Sequence, residues 1–251
     1  EKYFPENYSQ DHLINEVMIN TWIVKESTKL ILSSNSVFKD LKYYYPEYKT
    51  KPFVLHFAVE HPDLSKLKLL DLKFKFGLPE TYFFCPNQFW RHKNHMIVIK
   101  AVELLKSKGI ELFVIFSGKE FDPRSPGYTE GLKDYVASKY LENNIRFLGF
   151  IDRDEQLKLM EMSCAVIQPS LFEGWSTVIE EAMALNKCVL ASDLEVNKEQ
   201  LGAKGYFFNR SDFIDLAYLM EKIVLNTPTV TYNYPERQRK FAINFMNIIN
   251  E

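Results

Sequence analysis

Glu173 and Glu181 stand eight positions apart in the run Gln168-Pro-Ser-Leu-Phe-Glu-Gly-Trp-Ser-Thr-Val-Ile-Glu-Glu181. An apolar stretch leads into Pro169 and Ser170, Gly174 breaks the chain, and a helix is predicted from about Ser176. Glu173 then lies in the loop at the mouth of that helix, and Glu181 within its first two turns. A helix N-terminus gathers unpaired N–H groups and the positive end of the dipole, so it can hold phosphates. Carboxylates beside it accept hydrogen bonds from hydroxyl groups, and ionised acceptors make the stronger bonds. The pair therefore suits a ligand with hydroxyls next to a diphosphate. As plain dipole-compensating acids, each would contribute only about 0.3–1 kcal/mol. Glu180 points about 100° away from Glu181. It can close a Thr177-x-x-Glu180 capping box, so it reads as structural, its loss costing about 0.5–2 kcal/mol at most.

Three other loops carry polar chemistry. Asn87–His95 places Arg91 and Lys93 directly before a predicted helix, a combination that suits an anion; a solvated basic turn would have the same composition. His92 and His95 could share a helix face, but no Asp, Glu or Cys stands near enough in sequence to complete a tetrahedral site. Packing or loop hydrogen bonding is expected of them, and no metal. In Ser117–Asp122, Gly118 permits close backbone approach to a ligand and Lys119 adds charge. The GxxxxGK[ST] spacing of a Walker loop is absent. The polar run Ser192–Gln200 suits either the same crevice or a solvated face.

The elements that must position these loops follow from the alternation of apolar runs with amphipathic segments. Strands are predicted at Tyr82–Cys85, Leu112–Phe116, Ile145–Leu148, Ala165–Gln168, Cys188–Ser192 and Tyr206–Phe208. Helices are predicted over 95–107, 129–140, 153–162, 176–185, 196–202, 212–225 and, last, 235–250. The strands are continuous apolar runs, as expected where both faces of a parallel sheet are covered. Alternating strands and helices imply βαβ units and a doubly wound α/β domain, with ligands at the carboxyl ends of the strands.

Earlier, Leu13, Ile14, Val17, Met18, Trp22 and Ile23 fall at helical spacing after Ser9, a candidate N-cap. A strand at 29–33, a helix over 36–44 and a strand at 52–57 follow. The region 1–60 thus supplies two strand–helix units, too few for a doubly wound domain of its own. The expected division is 1–78 as a partial α/β segment and linker, 79–228 as the ligand-binding domain, and 229–251 as a C-terminal helix.

Of 251 residues, 46% are hydrophobic and 25% charged, which excludes disordered and fibrous classes. A net charge of −2 lacks the basic signature of a nucleic-acid binder. No apolar run approaches the roughly 20 residues that span a bilayer, and no stretch reads as a signal peptide. Cys85, Cys164 and Cys188 lie in apolar stretches without CxxC spacing, so buried free thiols in a reducing compartment are expected.

The segment PSLFEGWSTVIEEAMALNKCVLAS, 169–192, resembles the Glu-x7-Glu signature of glycosyltransferase family 4, retaining nucleotide-sugar-dependent enzymes of the GT-B fold. The strings CPNQFWRHKNH, 85–95, and FLGFIDRDEQLKLME, 147–161, resemble companion blocks of that family in matching order. The resemblance covers roughly 80–225 and implies a Rossmann-like donor-binding domain. By it, Glu173 contacts hydroxyls of the transferred sugar and Glu181 the ribose. The amides of Gly174, Trp175 and Ser176, with Lys93, hold the diphosphate, and Thr177 belongs to the same donor-binding set. The backbone near Phe150 and Ile151 meets the base.

Where many members carry an arginine, this sequence has Gln88, and Arg91 is the candidate for the missing charge. The implied donor is a UDP- or GDP-sugar with no required cofactor or metal, and the acceptor is a glycan or lipid-linked molecule. Surface polysaccharide synthesis in the cytoplasm, at the inner membrane face, is the implied setting, with peripheral membrane association through a missing first domain. Most of that domain would precede Glu1, so a donor-binding part is expected. A non-catalytic nucleotide-sugar binding module and a GT-B epimerase stand as alternatives.

Overall fold

The computed structural model describes residues 10–60 and 63–251, so the candidate cap Ser9 lies outside the described residues. Four strands, β3 (Phe83–Pro86), β4 (Val114–Ser117), β6 (Ala165–Gln168) and β7 (Val189–Ser192), are buried along their whole length. That is why their sequences show no polar alternation. β5 (Ile145–Phe147) and β8 (Tyr206–Phe208) form the two edges and are partly exposed. The six strands are parallel in the order β5-β4-β3-β6-β7-β8, with Phe83 facing both Val114 and Ala165. The strand order reverses between β3 and β6, so the loops leaving those two strands diverge and open a crevice between them.

Successive strand residues supply two cores. Phe83, Cys85, Val114, Phe116, Ala165 and Ile167 pack under α4 (His95–Ser107), α5 (Tyr128–Ser138) and α9 (Phe213–Leu225). Phe84, Ile115, Val166, Val189 and Ala191 pack under α3 (Leu69–Phe76), α6 (Arg153–Met162) and α7 (Thr177–Ala184). The doubly wound α/β expectation therefore holds, element by element, within a residue or two. Cys85 and Cys188 are buried and Cys164 partly so; all three are free, and burial pushes their thiols up to about 12, 12 and 11 respectively.

Helices α6 and α9 begin on side-chain caps. Asp152 accepts from Asp154 N at 2.9 Å, and Asp212 from Ile214 N at 2.8 Å. At α7 the cap differs from the predicted Thr177-x-x-Glu180 box. Ser176 takes the extended cap conformation and its Oγ accepts from Ile179 N at 3.3 Å, which leaves Thr177 as the first helical residue. Glu180 then sits one position beyond the reach of a capping box and turns inward, where it is fully buried.

The N-terminal segment is α1 (Gln10–Glu26), β1 (Leu30–Leu32), α2 (Asn35–Tyr44) and β2 (Pro52–Val54), with β1 and β2 paired in parallel. Its own core is small, centred on Val24, Leu30 and Leu41. Helical spacing in α1 suggests a buried stripe, but Ile14, Met18 and Trp22 are exposed, Trp22 to 67%. Two strands supply too little sheet to cover them. α8 (Glu195–Leu201) follows β7, and α10 (Tyr234–Asn250) ends the chain. α10 runs back to the N-terminal segment: Lys29 Nζ donates to the carbonyls of Ile248 and Ile249 at 2.6 and 3.2 Å, and Lys51 pairs with Glu251. No described helix is long and apolar enough to cross a membrane.

Candidate functional site

The crevice at the sheet's reversal point holds about 320 Å³. Into it come the loop after β3 (Gln88, Trp90, Lys93), the loop after β4 (Gly118), the β5–α6 junction (Phe150, Arg153) and the β6–α7 loop with its helix (Glu173, Trp175, Ser176, Thr177, Glu181). Arg91, Lys119, Ile151 and Gly174 lie outside this lining. Arg91 turns away, its Nε donating to Ser125 Oγ at 3.1 Å and its guanidinium lying over the Tyr128 ring. It therefore does not bring to the crevice the charge that Gln88 lacks. The crevice cation that local reading missed is Arg153, at the first position of α6 directly after the β5 loop. The signal was a cation opening a helix at the carboxyl end of a strand.

The charged groups are already paired. Lys93 Nζ donates to Glu173 Oε1 at 2.5 Å, and Gln168 Nε2 donates to the same oxygen at 2.7 Å. Both ionic side chains are nearly covered, at 13% and 10% exposure. Two loops distant in sequence are thereby tied across the strand reversal. Arg153 reaches Glu181 Oε1 from the other side, with its own side chain half exposed. The second oxygen, Glu181 Oε2, is buried without a hydrogen-bond partner among the described residues. Burial raises the Glu181 carboxyl above its ordinary 4.5, against the lowering by Arg153.

Gly118, which lines the crevice, also packs closely against the neighbouring loop. It holds φ +151°, and a Cβ there would meet the Asn87 carbonyl oxygen at 2.2 Å. Its missing side chain lets the β4 loop lie against the β3 loop. Gln88 Oε1 accepts from Lys119 N at 3.2 Å across the same seam. His95 is fully buried and its ring stacks on Phe89 at 4.5 Å between centroids. Burial pushes its imidazole down to about 3, and that of His92 to about 4, so both are neutral at pH 7. Among the described residues, no group of three His, Cys, Asp or Glu could hold a metal ion.

A second concavity, about 350 Å³, lies between α1, β1 and α2 and ends at Phe172. It is lined by apolar side chains with Glu16 and Asp40 and carries no cation. An anionic ligand would meet no cation in its lining.

A parallel sheet of this order, with paired cations and carboxylates at its reversal point and a capped helix N-terminus beside them, defines a doubly wound α/β domain. Residues 71–244 match the family of glycosyl transferases group 1, and the chain belongs to that family. It is 29% identical over 162 residues to the protein CapJ of Staphylococcus aureus, a match covering 64% of this chain and 39% of CapJ. It is 26% identical over 161 residues to the serotype-specific mannosyltransferase WbdA of Escherichia coli, covering 64% of this chain and 19% of WbdA. The matched region thus spans well under half of these relatives. Among solved structures, Alr3699/HepE of Anabaena, crystallised with UDP and glucose, superposes with a TM-score of 0.76 at 19% identity, over 98% of this chain and 67% of that one. That likeness shows a shared fold, the GT-B glycosyltransferase architecture expected from sequence.

Proposed function

We propose that this chain is the nucleotide-sugar donor-binding part of a retaining, family 4 glycosyltransferase that moves a sugar from a UDP- or GDP-sugar to a glycan or lipid-linked acceptor in surface polysaccharide synthesis. The observation that carries the reading is the buried, unpartnered Glu181 Oε2 in a crevice shared with Lys93 and the N-terminus of α7. A buried acceptor without a donor costs about 1–3 kcal/mol, and a ribose hydroxyl would satisfy it. Glu173 would accept from a hydroxyl of the transferred sugar. Lys93, exchanging Glu173 for the diphosphate, would stabilise the leaving group together with the amides around Trp175 and Ser176. The acceptor hydroxyl would attack the face that the leaving group vacates. The similarity to the serotype-specific mannosyltransferase WbdA supports sugar transfer in a surface-glycan setting, and the bound UDP of Alr3699/HepE supports the donor class.

Calorimetry with UDP and GDP in EDTA tests the reading directly. Binding is expected without added metal, because the charges that meet the diphosphate are supplied by the chain. An absolute need for Mg²⁺ or Mn²⁺ would contradict the assignment.

Glu181→Gln should weaken nucleotide affinity by about 1.5–3 kcal/mol, the range for a hydrogen bond to a charged group. Its stability should move the other way. A carboxyl whose folded pKa is raised contributes stability fully below 4.5, and that contribution is lost as pH rises through the folded value. The neutral amide escapes that loss, so at pH 7 the variant should melt at or above the wild-type temperature and gain nothing at pH 4. A variant that melts lower and binds normally would make Glu181 a structural residue.

A further inference from the structure

Three parts of the chain converge on one indole in the donor loop. Trp175 lies between Gly174 and Ser176, is nearly buried, and lines the crevice. From the segment after β2, the His56 imidazole lies flat on it, with ring centroids 4.3 Å apart and planes parallel. His56 is itself held: its Nε2 donates to Glu199 Oε1 of α8 at 2.6 Å. The same oxygen accepts from the Asn35 backbone N at 2.9 Å and from Asn35 Nδ2 at 2.7 Å. From α10, the Arg237 guanidinium stands 5.5 Å from the indole ring. The indole Nε1 donates to Glu180 Oε1 at 3.0 Å, and Ser33 Oγ donates to the carbonyl of Gly174 at 3.1 Å.

His56 lies outside the crevice lining and meets neither Lys93, Glu173 nor Glu181. Its ring, fixed at one edge by a carboxylate and laid on the indole, limits how the indole can turn. The backbone flanking the indole is the stretch whose N–H groups face the ligand under the proposed function. We propose that His56, acting through Trp175, is a positioning residue of the donor loop: it aims the Trp175 and Ser176 amides at the diphosphate. This rests on the donor-site reading. It also means that the N-terminal segment, through Ser33 and His56, sets the geometry of a loop belonging to the six-stranded domain. Aromatic stacking supplies the orientation here, so any flat ring at position 56 should serve, whereas an aliphatic side chain should not.

The test uses the full chain and compares His56→Ala, His56→Phe and Glu199→Ala, with UDP and GDP calorimetry at a temperature where circular dichroism shows all of them folded. His56→Ala should lose affinity by roughly 2- to 10-fold, the range of one lost aromatic pair. His56→Phe should bind within twofold of wild type, because the ring is restored although the Glu199 bond is not. Glu199→Ala, made on a different element, keeps the ring and removes only its anchor, so it too should bind within twofold of wild type. A role in folding alone would lower melting temperatures and leave affinity level across the set, which would overturn the inference. So would His56→Phe losing as much as His56→Ala. Wild type binding neither nucleotide would overturn the donor-site reading and this inference with it; wild type binding normally while His56→Ala is unchanged would overturn this inference alone.

Discussion

Glu180→Ala is expected to destabilise the protein by about 3–5 kcal/mol, the cost of breaking a buried ion pair from one side. For a chain of this size that corresponds to a fall of roughly 6–20 °C in melting temperature. Glu180 is fully buried and accepts from Trp175 Nε1, Gln200 Nε2, the Tyr234 hydroxyl and both Nε and Nη2 of Arg237. Truncation leaves four residues with unsatisfied donors, one of them a guanidinium whose side chain is only 26% exposed. The same carboxylate is the point where α7, α8, α10 and the donor loop are joined, so no neighbour can relax without moving another element. Paired melting curves of Glu180→Ala and Glu181→Gln settle it. Two adjacent, chemically identical residues should give a large loss in the first and none in the second. A loss below 2 kcal/mol in Glu180→Ala would return Glu180 to the scale of an ordinary cap.

The second large effect is on catalysis. In the complete enzyme that we propose, Glu173→Gln is expected to lower transfer by about 100-fold or more, the scale set by mispositioning at a reacting centre. Gln keeps an acceptor oxygen where Lys93 and Gln168 now donate, so the loop should hold its shape. What it removes is the charge that accepts a sugar hydroxyl and that pairs Lys93 before the ligand arrives. The melting temperature should stay within a few degrees of wild type, in contrast to Glu180→Ala. Sugar transfer measured at saturating donor is the readout. Activity within a few-fold of wild type would leave Glu173 as a dipole-compensating acid only.

The sequence was most legible where burial is uniform. Phe83–Pro86, Val114–Ser117 and Ala165–Gln168 are covered on both faces, and a continuous apolar run has no other good reading in a chain of this alternation. Helix α6 falls on the predicted 153–162 because Asp152 announces its start and Ser163 ends the apolar spacing. The grouping of Lys93, Glu173 and Glu181 in one crevice was legible for a related reason: parallel strands place their following loops on one side.

Partners were not legible. Glu180 meets Arg237 across 57 positions, and no local spacing distinguishes such an acid from a cap. Arg91 had the right charge in the right loop, yet its direction is set by Ser125 and Tyr128, which lie on another element. Nothing local distinguishes Arg153 from other charged residues of a polar helix, since its value depends on a carboxylate that only the fold brings near. The exposed stripe of α1 makes the same point in reverse: periodicity states which face is apolar and cannot state what covers it.

The return of α10 to the beginning of the chain has a consequence for how the polypeptide can be cut. Lys29 and the carbonyl of Ile248 are 219 positions apart, and Val59 is held by Tyr234 and Gln238 from the same helix. Residues 10–60 and the last twenty therefore act as one handle, discontinuous along the polypeptide but continuous in space. A stop codon or a proteolytic nick near residue 233 would be felt first at the opposite end, where β1 and the residues after β2 would lose their anchor. Hydrogen exchange after such a cut should quicken around Leu30 and Val59 while the strands at Phe83–Pro86 and Ala165–Gln168 keep their protection.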